Sequence, residues 1–238
     1  MGKTMWFRLS PAKNNPQNAP FFLILHGHGT TSRPTFYSEK NWNIIAPMDN
    51  FGFESKGSWW LGEDGGESTR MLLKMVVEAA KEIIDADLDS KLCIYGSSMG
   101  GYGAILNAQY LGATAVYANV PQIHLLGSTY SELGMKPYFQ AVLGQQPDDI
   151  HNNLCNYIRG CEGEHPLYFI CENRFGQRNY LSEQAMTIVS TFNELNINYH
   201  LEIVPTTGHN KNLGLREVRA LFEKHIEELN YLLEDVNL

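Results

Sequence analysis

Apolar residues along the chain fall into short unbroken runs separated by stretches of helical spacing. Phe21-Phe22-Leu23-Ile24-Leu25 is continuous and stops at His26-Gly27-His28-Gly29, the signature of a buried strand ending in a tight loop. Comparable runs predict strands over 5–9, 43–47, 92–95, 114–119, 167–171 and 199–204. Between them, Met71, Leu72, Met75, Val76, Ala79, Ala80, Ile83 and Ile84 recur at three- and four-residue steps and predict a helix ending near Ile84. Further helices are expected over 104–111 and 183–195 and from about Leu215. Strands that alternate with helices and read as continuous apolar runs imply an α/β protein, a mostly parallel sheet with helices on both faces. Segment 121–164 breaks the alternation, with helices near 137–143 and 148–158, and reads as a cap-like helical insertion. With no internal repeat, residues 1–238 are expected to form one domain.

Composition narrows the classes of function. Eighteen basic against 26 acidic residues leave a net charge of −8, no footprint for nucleic acid or anionic lipid. The longest apolar runs are too short to cross a bilayer. Cys93, Cys155, Cys161 and Cys171 form no Cys-x-x-Cys pair, and two lie in predicted strands, as expected of reduced thiols. The first residues lack the apolar core of a secretory leader, and Trp6 stands where a myristoylation signal needs Ser or Thr. A cytoplasmic protein is expected.

The sharpest chemical signal follows the strand at 92–95. Gly96-Ser97-Ser98-Met99-Gly100 is a Gly-x-Ser-x-Gly elbow in a strand-turn-helix setting, with Ser98 as the candidate nucleophile. Such a serine sits on a strained turn, so Gly96 and Gly100 must let strand and helix backbones pass closely. A serine hydroxyl also needs a base. His209 follows the last predicted strand and precedes the last helix, the position that completes the chain order serine, acid, histidine. His165, His200 and His225 read as structural or solvated, and His124 and His151 lie in the insertion. Glu172 is the first carboxylate after the strand at 167–171 and the candidate acid, with Glu183 as the alternative.

An oxyanion hole would draw on the backbone N–H of Met99 and on Gly27 and His28 of the loop after the early central strand. His26 and His28 alternate as a metal clamp would, but no Asp, Glu or Cys accompanies them at ligand spacing, so no metal is expected. In the loop 48–66, Trp59 and Trp60, with Phe51 and Phe53, are candidate platforms for a sugar ring, and Asp49, Asn50 and Glu63 candidate partners for its hydroxyls. The same aromatics could instead pack the loop onto the sheet.

Over nearly its whole length the chain resembles the α/β-hydrolase superfamily. It is similar in particular to capsular polysaccharide O-acetyltransferases and to the acetyltransferase-like component of accessory secretion systems. The likeness rests on the segments beginning Leu25-His26-Gly27, Asn41-Trp42-Asn43 and Gly57-Ser58-Trp59-Trp60, on the elbow, on Asn119-Val120-Pro121-Gln122 and on Gly208-His209. It implies an α/β-hydrolase fold with a helical insertion before the acid-bearing strand, an acyl group carried on Ser98, His209 as base, and Gln122 among the substrate-binding residues. It also implies a polysaccharide or small acyl ester as substrate and a place in capsular polysaccharide biosynthesis. No cofactor is expected beyond acetyl-CoA as a candidate acyl donor. The acid in such enzymes is usually Asp, so Glu172 is a departure. A catalytically silent module that binds a glycan or partner stays open as the alternative, and the residues say nothing of oligomeric state.

Overall fold

Among the described residues seven strands form one sheet in the order β1-β3-β2-β4-β5-β6-β7. They are β1 (Phe7–Ser10), β2 (Phe21–Leu25), β3 (Asn43–Pro47), β4 (Leu92–Ser97), β5 (Ala115–Asn119), β6 (Leu167–Phe175) and β7 (Tyr199–Thr207). Only the β1–β3 pair is antiparallel. The computed structural model describes residues 2–30, 32–87, 89–209 and 212–236, with side chains described through residue 228.

The helices are α1 (Ser68–Ile84), α2 (Met99–Asn107), α3 (Lys136–Leu143), α4 (Asp149–Asn152), α5 (Leu154–Arg159), α6 (Tyr180–Glu183), α7 (Ala185–Glu194) and α8 (Leu215–Val236). Side chains alternate across each strand, and in the central strands β2, β3, β4 and β5 both alternating sets are buried. Phe21, Leu23, Leu25, Ile94 and Val116 pack against Leu73 and Val77 of α1, Ile105 of α2, Phe139 of α3 and Phe192 of α7. Phe22, Ile24, Cys93, Tyr95 and Tyr117 face the other way, onto Val218 and Phe222 of α8 and onto Trp42. Both faces are thus covered.

Three elements differ from the periodicity. The helix expected over 104–111 begins at Met99, immediately after the elbow serine. The expected helix over 148–158 is split at Asn153, whose extended backbone bridges to His124 while its side chain caps α5 through Cys155 N–H. The strands expected to end at 171 and 204 run on to Phe175 and Thr207 and pair with each other beyond the end of β5. Register places the site: Ser97, Asn119, Cys171 and Glu202 are neighbours across four strands, so Ser98, Val120 and Glu172 stand one step beyond, at the same end of the sheet.

Candidate active site

Ser98 joins β4 to α2 at φ 57° and ψ −118°, a backbone conformation that a residue with a side chain adopts only under strain. Packing enforces the turn. A Cβ on Gly96 would overlap the Gly100 carbonyl, and one on Gly100 would overlap the Leu25 carbonyl, so the elbow closes only with glycine at both places. Ser98 N–H donates to Asn119 O at 2.9 Å and Tyr102 N–H to Ser98 O at 3.0 Å, fixing the turn from both sides. The Ser98 side chain is part-exposed, and its Oγ accepts a hydrogen bond from Gln122 Nε2 at 3.1 Å.

Met99 opens α2, where the first N–H groups of a helix have no partner within it. Gly27 lies opposite, its Cβ direction 4.0 Å from Ser98 Cβ. Met99 and Gly27 therefore flank the nucleophile with main chain, and His28 follows Gly27 in the chain. His28 packs on Tyr138 at 4.5 Å and Trp59 at 5.5 Å between ring centroids, and its buried Nε2 has no hydrogen-bond partner. His26 has both ring nitrogens engaged: Nε2 accepts from Asp49 N–H at 2.8 Å, which requires Nδ1 to donate to Gly27 O at 2.9 Å. Burial holds this imidazole below its usual pKa. Among the described residues no group of three or more His, Cys, Asp or Glu side chains is placed to hold a metal ion.

His209 follows the extended β7. Its approach is tied to β6 by Asn173, whose Nδ2 donates to Gly208 O at 3.0 Å and whose Oδ1 accepts from Thr206 Oγ1, and by Gly208 N–H to Phe175 O. The imidazole lies against Tyr130 and Tyr180, with centroids 5.7 and 5.0 Å away. Burial pushes its pKa down to about 4, and its Nε2 is buried with no hydrogen-bond partner.

The expected hydrogen bond between Glu172 and His209 is not made. Glu172 is 1% exposed, its Oε1 accepts from Asn173 N–H at 2.8 Å, and its Oε2 is buried without a partner. Desolvation raises its pKa to about 8, so at neutral pH the carboxyl is mostly a neutral acid rather than the anion an imidazole would attract. Glu183, the alternative acid, accepts instead from Thr129 N–H and Oγ1, both at 2.7 Å.

Two expectations for the loop 48–66 are corrected. Trp59 and Trp60 are both 0% exposed and offer no open face to a sugar. Trp60 fills the space left by Gly103, while Trp59 packs edge-on to Phe139 at 5.0 Å. Asp49 is also 0% exposed, and its carboxylate is taken by its own loop. It accepts from Ser58 N–H, Ser58 Oγ and Trp60 N–H, all at 2.8 Å, and from Phe51 N–H at 3.4 Å. These bonds organise the loop and leave nothing for a substrate hydroxyl. Glu63 likewise accepts from Gly52 N–H and pairs with Lys3. Asn50 keeps a buried Oδ1 without a partner, and the exposed aromatic of the loop is Phe53, edge-on to Tyr138 at 5.3 Å. Gln122 is fully buried and touches the nucleophile.

Sequence reasoning missed Tyr130, Tyr180 and Asn173, and gave Asn119 no role beyond its place in the Asn119–Gln122 segment. Asn119 holds Ser97 Oγ and, through Oδ1, Asn212 in the loop beyond His209. Asn173 had a signal, since it stands beside Glu172 in the segment that must meet the histidine loop.

The chain has the α/β-hydrolase fold. It superposes on a capsule O-acetyltransferase of Neisseria meningitidis serogroup A with a TM-score of 0.67, at 16% identity over 94% of this chain and 91% of that one. A histidine-to-alanine mutant of that enzyme in complex with CoA gives 0.65 at 15% identity, over 94% and 91%. An S-formylglutathione hydrolase from Agrobacterium tumefaciens gives 0.60 at 17% identity, over 87% and 83%. Esterase B from Lactobacillus rhamnosis gives 0.63 at 12% identity, over 98% and 88%. No family model and no curated protein matches the chain.

Proposed function

We propose that the protein is a serine acyl-transfer enzyme that carries a small acyl group on Ser98. The observation that carries this reading is the strained Ser98 backbone at the β4–α2 junction, held open by two obligatory glycines. Strain of this kind costs about 1–3 kcal/mol and serves no packing purpose at a part-exposed serine.

In this reading Ser98 Oγ attacks the acyl carbonyl carbon while His209 Nε2 takes the hydroxyl proton. The negative charge on the former carbonyl oxygen is met by N–H groups of Met99 and the Gly27-His28 segment, at the positive end of α2. The bond to the leaving group breaks, that group takes the proton from His209, and an acyl-Ser98 ester remains. Water or an acceptor hydroxyl then gives its proton to His209 and attacks the ester, regenerating Ser98. Glu172 is the acid of this set: the positive charge formed on His209 favours the ionised carboxyl, whose proton leaves to solvent as the carboxylate pairs with the imidazolium. Its partnerless Oε2 supports the role, because catalytic hydrogen bonds often tighten only when substrate is bound.

A finer reading, O-acetyl transfer from acetyl-CoA to a polysaccharide, is favoured by the superposition on the capsule O-acetyltransferase over 94% of this chain. With both tryptophans buried, the acceptor surface of that reading is Tyr138, which adjoins His28 beside the elbow, and Phe53, which lies edge-on to Tyr138.

The test is incubation with p-nitrophenyl acetate and, separately, with acetyl-CoA, followed by intact mass. An acetyl adduct located on Ser98 is expected, and Ser98→Ala should abolish both the adduct and turnover, a loss of about 10⁴-fold or more. Turnover retained by a folded Ser98→Ala protein refutes the reading. Adding an oligosaccharide acceptor to the acetyl protein distinguishes transfer from hydrolysis.

A further inference from the structure

We propose that Gln122 is a positioning residue for the nucleophile: its side-chain amide, oriented by Trp59, donates to Ser98 Oγ and leaves the hydroxyl proton of Ser98 as the one directed to the base. The inference rests on Ser98 acting as nucleophile.

Chemistry fixes the direction of the amide. Trp59 Nε1 can only donate, and it lies 2.5 Å from the fully buried Gln122 side chain, so the oxygen of the amide must face the indole. The nitrogen then faces Ser98 Oγ at 3.1 Å and must donate. A hydroxyl oxygen has two lone pairs and one proton. With one lone pair held by Gln122, the rotation of Ser98 is restricted, and the second lone pair and the proton are presented together to substrate and base.

Backbone strain gathers at this relay and in the turn that leads into Gln122. Ser98, Trp59 and Val120 have φ of 57°, 55° and 40°. For a β-branched valine a positive φ is a strong outlier. Val120 is clamped there by its N–H to Cys171 O at 2.7 Å and by Tyr180 O–H to its carbonyl at 3.0 Å. The turn delivers Gln122 past Pro121, which packs against Gly101 of α2. Trp59 is held between Phe139 and His28. The hydrogen-bonded chain Trp59–Gln122–Ser98 therefore joins two strained residues, Trp59 and Ser98, through a glutamine that stands two positions after the strained Val120.

Gln122→Glu separates this role from packing. It keeps the volume and an acceptor for Trp59, but presents an oxygen to Ser98 that, when ionised, draws the hydroxyl proton away from the base. Its kcat for p-nitrophenyl acetate should fall about 10- to 100-fold with KM little changed, and the rate of Ser98 modification by a fluorophosphonate should fall alongside. Lowering the pH until the new carboxyl is protonated should return part of the rate, since a neutral acid can donate. Trp59→Phe, which removes only the indole N–H from the relay, should slow wild-type acylation several-fold and have no further effect on Gln122→Ala. Wild-type labelling rates in both Gln122 variants, or an equal Trp59→Phe effect in both backgrounds, would overturn the proposal. Wild-type protein that is not labelled at Ser98 would overturn the acyl-transfer reading as well, so the two failures are distinguishable.

Discussion

Tyr130 lies on the His209 imidazole with ring planes 22° apart and centroids separated by 5.7 Å. Tyr130 belongs to the segment between β5 and β6 and His209 to the loop after β7, so the insertion helps set the proton affinity of the base. The folded protein keeps His209 neutral down to about pH 4, against 6.5 for an unhindered imidazole. The unfolded chain therefore takes up a proton in that window, and stability falls as pH drops through it. Tyr130→Ala should let water reach the ring and raise its pKa by about one unit or more. The check is the acid limb of the pH profile of kcat/KM, together with an NMR titration of His209.

Glu172 has the opposite dependence. Its folded pKa of about 8 lies above the ordinary 4.5, so unfolding releases a proton between those values and stability is lost as pH rises through them. Glu172→Gln should melt close to wild type near pH 4 and higher at pH 8, by of the order of a few kcal/mol. As the proposed acid, it should also lose about 10²-fold or more in kcat. Urea titrations across pH, paired with ester turnover, read both effects.

Gly100→Ala should destabilise the protein by about 3 kcal/mol or more, because the added methyl would overlap the Leu25 carbonyl, part of a buried strand that cannot yield. Gly29→Ala is the contrasting case. Nothing lies within 4 Å of its Cβ position, and only the φ of +76° resists substitution, at a cost of about 1 kcal/mol. Thermal melts of the two variants measure the difference.

Asp49→Asn should loosen the loop carrying Trp59 and Trp60, since an amide cannot accept all the bonds its carboxylate takes from Ser58, Trp60 and Phe51. A loss of about 1–3 kcal/mol is expected, with tryptophan fluorescence shifted to the red as the rings meet water. A change confined to KM would instead assign Asp49 to substrate binding.

The alternation of apolar runs with helical spacing made the sheet legible, and the elbow was readable because two glycines bracket a serine where a strand gives way to a helix. The start of α2 was not, because Met99-Gly100-Gly101-Tyr102-Gly103 is poor helix sequence; packing of those glycines against Leu25, Pro121 and Trp60 overrides the propensity. The sequence leaves the tryptophans open between a sugar platform and packing of the loop onto the sheet, because a Gly- and aromatic-rich loop fits either; burial selects the packing. Here Gly103 supplies the hole that admits Trp60. Tyr130 and Tyr180 left no trace in the sequence, since their approach to His209 joins distant segments with no characteristic spacing. The ends of β6 and β7 read as polar loops because no third strand accompanies them beyond Asn119↔Cys171.

That unaccompanied pairing, up to Phe175↔Thr207, makes the support of His209 a two-stranded ribbon at the outer edge of the sheet. Two strands alone are marginally stable in water. The ribbon can fray while the remaining strands hold, carrying the histidine away from the serine without dissolving the core. The working lifetime of the protein is then set by a local opening of its rim rather than by global unfolding, and urea should silence its chemistry before it erases the circular dichroism of the fold.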